Sequence, residues 1–240
     1  MQTRNKMLDD ISQLMTNAMG VAQGAKDEAE TAFNSMIDRW LADRNLVTRE
    51  EFAADIAKAR AILEDVGGAP VTGYRAPSFS IDARNLWAHE VLAQHGYDYS
   101  SSVAPVVHDH YGWREAPRFA FSPVAGSDLI EIPVTTALLR GRRLAAGGGG
   151  FFRVLPYGFS RWAIRQVNRD GRPAVFYFHP WEVDPNQPRV AGAPLRSRLR
   201  HYTNLSRMAD KLTGLLGDFA WGRMDALAAQ EKPRSLDWAA

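Results

Sequence analysis

Hydrophobic positions in the first 47 residues repeat with alternating spacings of three and four. The repeat covers four heptads, at Leu8, Ile11, Met15, Ala18, Ala22, Ala25, Ala29, Ala32 and Met36. Such a seam is typical of a coiled-coil helix, although a mostly alanine seam buries little apolar area in each layer. The pattern predicts a long helix that packs on its own chain, joins copies of the chain through residues 8–36, or makes weak contact with a membrane surface. Both charge signs occur along it, which argues against a strongly basic membrane face.

A second helix is predicted to begin directly after this segment. Thr48 and Glu51 have the spacing of a capping box, in which each side chain bonds the other residue's backbone amide. The apolar positions that follow share one side of the helix, and Gly67-Gly68 predicts its end. All 13 prolines occur from Pro70 onward. This shift in composition predicts two domains, a helical segment over 1–47 and a second domain over 48–240.

Beyond residue 68 the pattern alternates between strand and helix. Strands are predicted within 70–80, 97–103, 129–134 and 174–178, the last as a buried apolar run. Helices are predicted within 82–96, 160–168 and 204–216, and residues 220–227 as a last strand or loop. Strands that alternate with helices favour an α/β fold with a parallel sheet or barrel.

Composition excludes several kinds of chemistry. The chain has 240 residues and no cysteine, which rules out disulfides, thiolate zinc sites and a cysteine nucleophile. Its net charge of +2 is too small to predict a nucleic-acid partner. The N-terminus has no apolar signal region, and no apolar run is long enough to span a membrane. We therefore expect a cytoplasmic protein.

Two polar side chains come directly after predicted strands. Arg75 and His179 each precede a proline that restricts the backbone. In α/β barrels the carboxyl ends of the strands build the active site, and these side chains suit carboxylate binding and general acid chemistry. Taken singly, a surface salt bridge for Arg75 and a satisfied core histidine for His179 are the more ordinary interpretations.

Several sequence blocks occur together with these residues, in an order that runs to about Leu227. They are VTGYRAPSFSI at 71–81, HGYDYSSSV at 95–103, HDHYGWREAPR at 108–118, IEIPVTT at 130–136, GGGGFFRVLPYGFSR at 147–161, FYFHPWEVDPNQPR at 176–189 and RHYTNLSRM at 200–208. Together, residues from about 50 to 227 resemble the C-terminal portion of the polysaccharide deacetylase family. The likeness is to the branch associated with exosortase and exopolysaccharide synthesis.

The resemblance implies a distorted, incomplete (β/α) barrel that removes acetyl groups from amino-sugar polymers with the help of a zinc-type divalent metal. By this resemblance Arg75 orients the aspartate base, and His179 is the general acid for the leaving amine. Phe178 would line the pocket of the acetyl methyl group. Trp181 and Tyr99 would stack on the sugar or form the pocket wall, with ordinary core packing as the alternative for each.

The chain departs from this family in its front half. The family's aspartate pair and histidine-rich metal motif are not found, and no histidine precedes Glu64. Asp9-Asp10 lies in the heptad helix, where a solvated position is expected. His108 and His110 flank Asp109 but would need further ligands to hold zinc. The sequence therefore predicts a partial barrel without its first strands, and it assigns no metal-binding residue.

Residues 1–51 resemble a different family, the membrane-fusogenic coiled-coil proteins that act as accessory factors in ubiquinone biosynthesis. MQTRNKMLDDISQLM at the start and LADRNLVTREEF at 41–52 carry this resemblance. It implies a helical, oligomeric segment that associates with membranes. One resemblance stops near the start of the other, so we expect a fusion or truncation joined near Val47–Phe52.

Three functions follow from these patterns. The first is a carbohydrate N-deacetylase whose metal half comes from another subunit. The second is a sugar-binding remnant without turnover. The third is an oligomeric helical adaptor that acts through residues 1–45. Metal-dependent acetate release, saccharide binding without release, and self-association of the helical segment would distinguish the three.

Overall fold

A computed structural model describes residues 47–108 and 111–231. The predicted heptad helix over 8–36 lies outside these residues, as do Asp109 and His110. The chain divides into two units, Met1–Phe52 and Ala53–Ala240. Within the described part, no helix is both long enough and apolar enough to cross a membrane.

The first described helix, α1, spans Arg49–Gly67 and begins at the predicted capping box. The Thr48 amide donates to Glu51 Oε2 at 2.8 Å, and the Glu51 amide donates to Thr48 Oγ1 at 3.1 Å. Gly68 has φ +61°, the left-handed conformation that glycine adopts readily at the end of a helix. The predicted start and end of this helix are confirmed.

Side chains of α1 attach it to the end of α2, which spans Trp87–Gln94. Arg60 donates to the carbonyls of His95 and Gly96, and its guanidinium lies 5.2 Å from the Tyr97 ring centre. Arg60 also bonds Glu64 at 2.9 Å. One arginine thus satisfies carbonyls at the end of α2 that the helix itself leaves unpaired.

Three short strands form a parallel sheet in the order β1-β2-β3. They are β1 at Gly73–Tyr74, β2 at Tyr99–Ser100 and β3 at Ile130–Glu131. Helix α2 connects β1 to β2, which makes a βαβ unit. The predicted α/β class and the parallel sheet are confirmed. The strands form an open sheet, as expected of a partial barrel, and a helix precedes them.

A hairpin follows the sheet. It consists of β4 at Thr136–Leu139 and β5 at Arg142–Ala145, paired antiparallel. The turn residues Arg140 and Gly141 have φ of 50° and 76°. Positive φ at both positions is the signature of a tight type I′ turn. The sequence did not predict this hairpin, because Arg-Gly is not among the usual residue pairs for such a turn.

The remaining helices pack around the later part of the chain. They are α3 at Gly149–Val154, α4 at Tyr157–Arg169, α5 at Leu195–Tyr202, α6 at Met208–Asp218 and α7 at Met224–Gln230, with 3₁₀ turns at Pro77–Phe79, Pro180–Val183 and Leu205–Arg207. The predicted helices within 160–168 and 204–216 are confirmed. The prediction of a last strand or loop over 220–227 was wrong, because that stretch leads into α7.

The predicted buried strand over 174–178 was also wrong. This segment has one parallel bridge, between Gly148 and Tyr177, and within it only Val175 is buried. Val175 packs in a core cluster with Ile130, Ile132 and Ala228. The apolar run therefore contributes one core residue, and its later residues face the candidate site.

Candidate functional site

Arg75 lies at the carboxyl end of β1 and is held by the residue that follows β2. Its Nε donates to the Ser101 carbonyl at 2.9 Å, and its Nη2 donates to Ser101 Oγ at 2.8 Å. The guanidinium carbon lies 5.6 Å from the Phe79 ring centre and 5.8 Å from that of Tyr177. These contacts fix the side chain at the edge where parallel strands commonly carry a functional site.

The environment of Arg75 is partly desolvated. Burial of the guanidinium lowers the pKa of Arg75, and the charge of Glu131 partly offsets this effect. An arginine stays protonated at neutral pH even with a lowered pKa. The site therefore contains a fixed positive charge.

Tyr177 brings the two predicted catalytic residues to one place. Arg75 lies over its ring, and the His179 ring centre is 6.1 Å from the Tyr177 ring centre with the planes at 82°. Phe79 packs edge-on against Tyr177 at 4.8 Å. Burial, with a smaller contribution from Tyr111, raises the pKa of Tyr177, so its phenol is neutral at physiological pH. The sequence did not single out Tyr177, although it stands two positions before His179.

Close approach to glycines places this segment. A Cβ on Gly148 would come within 2.8 Å of Tyr177 Oη, and one on Gly149 within 2.1 Å of Glu182 Oε2. Real Cβ contacts are not this short. The glycine run before α3 therefore lets the chain around 177–182 pack directly on the α3 backbone.

His179 is exposed, and a buried carboxylate holds its backbone. The His179 amide donates to Glu182 Oε2 at 2.9 Å. The other Glu182 oxygen accepts from Arg153 Nε at 2.9 Å, and both of these side chains are almost fully buried. The predicted general acid thus faces solvent from a backbone fixed by a buried ion pair. The core-histidine interpretation does not apply to an exposed side chain.

Trp181 belongs to a row of stacked rings. Its ring is 5.8 Å from that of His179 with the planes at 10°, and 4.1 Å from that of His201 with the planes at 14°. The Arg153 guanidinium lies 5.2 Å from the Trp181 ring centre. His201 Nε2 also lies 2.7 Å from Gln187 Oε1. Trp181 is therefore engaged in packing, and His201 is a ring that the sequence did not single out.

Phe178 and Tyr99 occupy different surroundings. Phe178 is 43% exposed beside His179. A small cavity of about 20 Å³, lined in part by Phe79, Tyr111, Phe151 and Tyr177, lies nearby, and Phe178 is not among its lining residues. This volume is near the size of one water, which is too small for an acetyl group in the present conformation.

Tyr99 lies in β2 and packs with Ile130, Ile132 and Val175. It also lines an open cleft of about 1010 Å³ on the side of the sheet where the strands begin. A Cβ on Gly73 would come within 2.1 Å of the Tyr99 ring, so the ring lies directly across that glycine. The structure places Tyr99 in this packing role, and Arg75, Tyr177 and His179 together at the opposite strand ends.

Metal ligation was tested on the residues that are present. In the described ranges, 47–108 and 111–231, no three His, Asp or Glu side chains are grouped so that they could hold an ion. The buried pair of His89 and Glu131, 3.0 Å apart, has a structural use, because the other Glu131 oxygen accepts the amides of Ser102 and Val103 at 2.8 and 2.9 Å. The described residues do not fit the zinc-type centre that the resemblance implies.

The fold and this strand-end site place the chain among proteins with a domain associated with polysaccharide deacetylases. The family model described as "Domain of unknown function (DUF3473)" matches residues 101–229, which is more than half of the chain, and the chain belongs to that family. The predicted recognition of residues 50–227 is confirmed at this level.

A second family model, described as "Membrane fusogenic activity", matches residues 2–65. The resemblance predicted for 1–51 is confirmed. The match runs 14 residues further, through most of α1 and past the predicted junction near Val47–Phe52.

Among solved structures, the chain is similar to one described as a polysaccharide deacetylase from Mycobacterium smegmatis. The sequence identity is 17%, the TM-score is 0.44, and the match covers 79% of this chain and 61% of that one. The chain thus spans less than two thirds of that protein. A search of curated proteins gives no match.

Proposed function

We propose that this chain binds polymers of N-acetylated amino sugars on the surface formed by Arg75, Tyr177 and His179, as the leaving-group side of a carbohydrate N-deacetylase of exopolysaccharide synthesis. The observation that carries the proposal is the convergence of Arg75 and His179 on Tyr177 at the strand ends. Membership in a deacetylase-associated domain family supports the same conclusion.

Each residue has a distinct part in this proposal. The fixed charge of Arg75 attracts and orients a carboxylate or the polarised oxygen of an acetamide. Exposed His179 donates a proton to the amine that leaves when the acetamide is hydrolysed. Phe178, exposed beside it, offers apolar contact to the sugar.

The proposal separates binding from hydrolysis. Because the described residues do not supply a metal site, a metal-assisted step needs ligands from outside this part of the chain. We therefore propose sugar binding as the activity of the chain alone, and hydrolysis only where another chain or segment supplies the metal ligands.

Calorimetric titration of the purified chain with chitohexaose tests this proposal. We expect saturable binding that His179→Ala weakens and His95→Ala leaves unchanged, since His95 lies at the end of α2 rather than at the site. An acetate-release assay with added zinc should stay at background. Equal affinity of the wild type and His179→Ala would contradict the proposed site, and zinc-dependent acetate release would contradict the separation of binding from hydrolysis.

The helical adaptor is a second candidate, because a specific observation favours it. Ile62, Leu63 and Val66 of α1 are 52%, 57% and 81% exposed, and all but Val66 lie within the match to the membrane-fusogenic family. An apolar exposed helix surface is available for a partner helix or a lipid surface. Co-sedimentation of the full chain with anionic vesicles, compared with Ile62→Glu/Val66→Glu, tests this candidate, and the cytoplasmic location also stays a prediction.

A further inference from the structure

Five exposed arginines form a concentrated positive surface, which we call the basic strip. It consists of Arg189, Arg196, Arg198, Arg200 and Arg207. No aspartate or glutamate occurs in the sequence between Asp184 and Asp210. The net charge of +2 for the whole chain therefore conceals a strongly uneven distribution.

A buried side chain connects the basic strip to the candidate site. Arg153 donates to the carbonyls of Arg200, His201 and Thr203 at 3.0, 3.0 and 2.7 Å. The same guanidinium pairs with Glu182, whose other oxygen accepts the His179 amide. Stacking of His201 on Trp181 at 4.1 Å joins the two regions a second time. The basic strip is thus fixed beside His179.

Helix α5 carries the centre of the strip without internal compensation. Its sequence, LRSRLRHY, contains three arginines and no acidic residue. Arg196 and Arg200 are four positions apart, where like charges on a helix repel each other. The helix dipole favours only the cations of the last turn. A bound anion would relieve this repulsion.

The opposite side of the molecule has the opposite charge. The large open cleft where the strands begin is lined by four acidic residues, Glu90, Asp98, Asp128 and Asp225, and no lysine or arginine is among its lining residues. An acidic polymer would be repelled there and attracted to the side of His179.

We propose that the basic strip binds acidic groups along the polymer, so that the ligand of this chain is an anionic polysaccharide that contains N-acetylated amino sugars. This inference rests on the proposed function. Guanidinium groups pair with carboxylates in two parallel hydrogen bonds, which suits uronate sugars, and sulfate or phosphate substituents offer the same chemistry. The ring row from His179 to His201 lies beside the strip and favours a sugar polymer over a nucleic acid, since its rings already stack on one another rather than offering open faces to bases.

The test compares two hexasaccharides by calorimetry: hyaluronan, in which uronate alternates with N-acetylglucosamine, and neutral chitohexaose. We expect hyaluronan to bind about tenfold more tightly at low salt, and added salt to weaken hyaluronan binding alone. R196Q/R198Q/R200Q should bring hyaluronan to the affinity of chitohexaose and leave chitohexaose unchanged. The matched control R142Q/R165Q/R169Q removes the same charge from β5 and α4 and should preserve the difference.

Four outcomes would overturn the inference. Equal affinity for the two hexasaccharides in the wild type would remove the basic strip from recognition and leave the proposed function standing. Equal losses in both triple variants would reduce the effect to net charge. Tighter binding of a short DNA duplex, sensitive to R196Q/R198Q/R200Q, would make the strip a nucleic-acid surface. Failure of chitohexaose and hyaluronan alike to bind would contradict the proposed function itself. The salt dependence of the wild type answers the question even if a variant does not fold.

Discussion

Replacing Arg153 by methionine should destabilise the protein more than any substitution of an exposed arginine. The side chains of Arg153 and Glu182 are 1% and 2% exposed, and their Nε and Oε1 atoms are 2.9 Å apart. Methionine keeps much of the side-chain volume but removes the charge. The Glu182 carboxylate then stays buried without its cation, and three backbone carbonyls lose their donor.

The magnitude follows from this burial. Breaking a buried ion pair by removing one partner costs about 3–5 kcal/mol, because the remaining charge is uncompensated. The carbonyls add less, since they belong to a segment that water reaches. A loss of about 3–5 kcal/mol is a large part of the 5–15 kcal/mol by which domains are commonly stable.

Urea denaturation followed by tryptophan fluorescence measures this loss. Arg84→Met is the matched control, because Arg84 also pairs with a carboxylate but its side chain is 87% exposed, and the expected loss is below about 1 kcal/mol. The double variant Arg153→Met/Glu182→Leu should be more stable than Arg153→Met, since it removes the unpaired charge. A loss below about 1 kcal/mol for Arg153→Met, or no recovery in the double variant, would refute the reasoning.

Three further predictions concern the core and the pH dependence. Gly149→Ala should cost about 1–3 kcal/mol by overpacking, because its Cβ would lie 2.1 Å from the carboxylate of the buried pair, whereas Gly150→Ala has open space and should cost nothing in the same urea assay. Glu131→Ala should cost about 3 kcal/mol or more, since it leaves two backbone amides and a buried histidine without their acceptor, and a loss below about 1 kcal/mol would contradict this account. Burial, together with a hydrogen bond to Asp218, raises the pKa of Tyr157 to about 12 from 10.0. The stability it contributes should be present below pH 10.0 and lost as pH rises through about 12, and an ultraviolet titration in which every tyrosine ionises together near 10.0 would exclude this shift.

Locally encoded features were predictable from the sequence. The capping box at Thr48–Glu51 and the stop at Gly67-Gly68 depend on residues within a few positions of one another, and the structure contains both. The α/β class was predictable for the same reason, because alternation between strand and helix patterns is visible along the chain.

Helices that depend on distant contacts were not predictable. Helix α5 has no buried residue, and its end is held by Arg153, which lies more than 40 positions earlier in the chain. Helix α7 packs through Met224, Leu227 and Ala228 against the cluster of Ile130, and the predicted range ended at Leu227, before this helical spacing was complete.

The candidate site was predictable in part. Arg75 and His179 follow from the strand ends and the resemblance, and the structure brings both to Tyr177. The supporting residues were missed because their partners are far apart in sequence, such as Glu182 with Arg153. The buried histidine of this protein is His89, whose partner Glu131 lies 42 positions away.

The central claim is that sugar binds at the strand ends beside His179, and histidine NMR during a chitohexaose titration tests it most directly. The account predicts that the imidazole signals of His179 and His201 shift with saturation, while those of buried His89 and of His95 stay in place. Shifts at His95, with His179 unchanged, would contradict the account and move the binding site to the opposite side of the sheet.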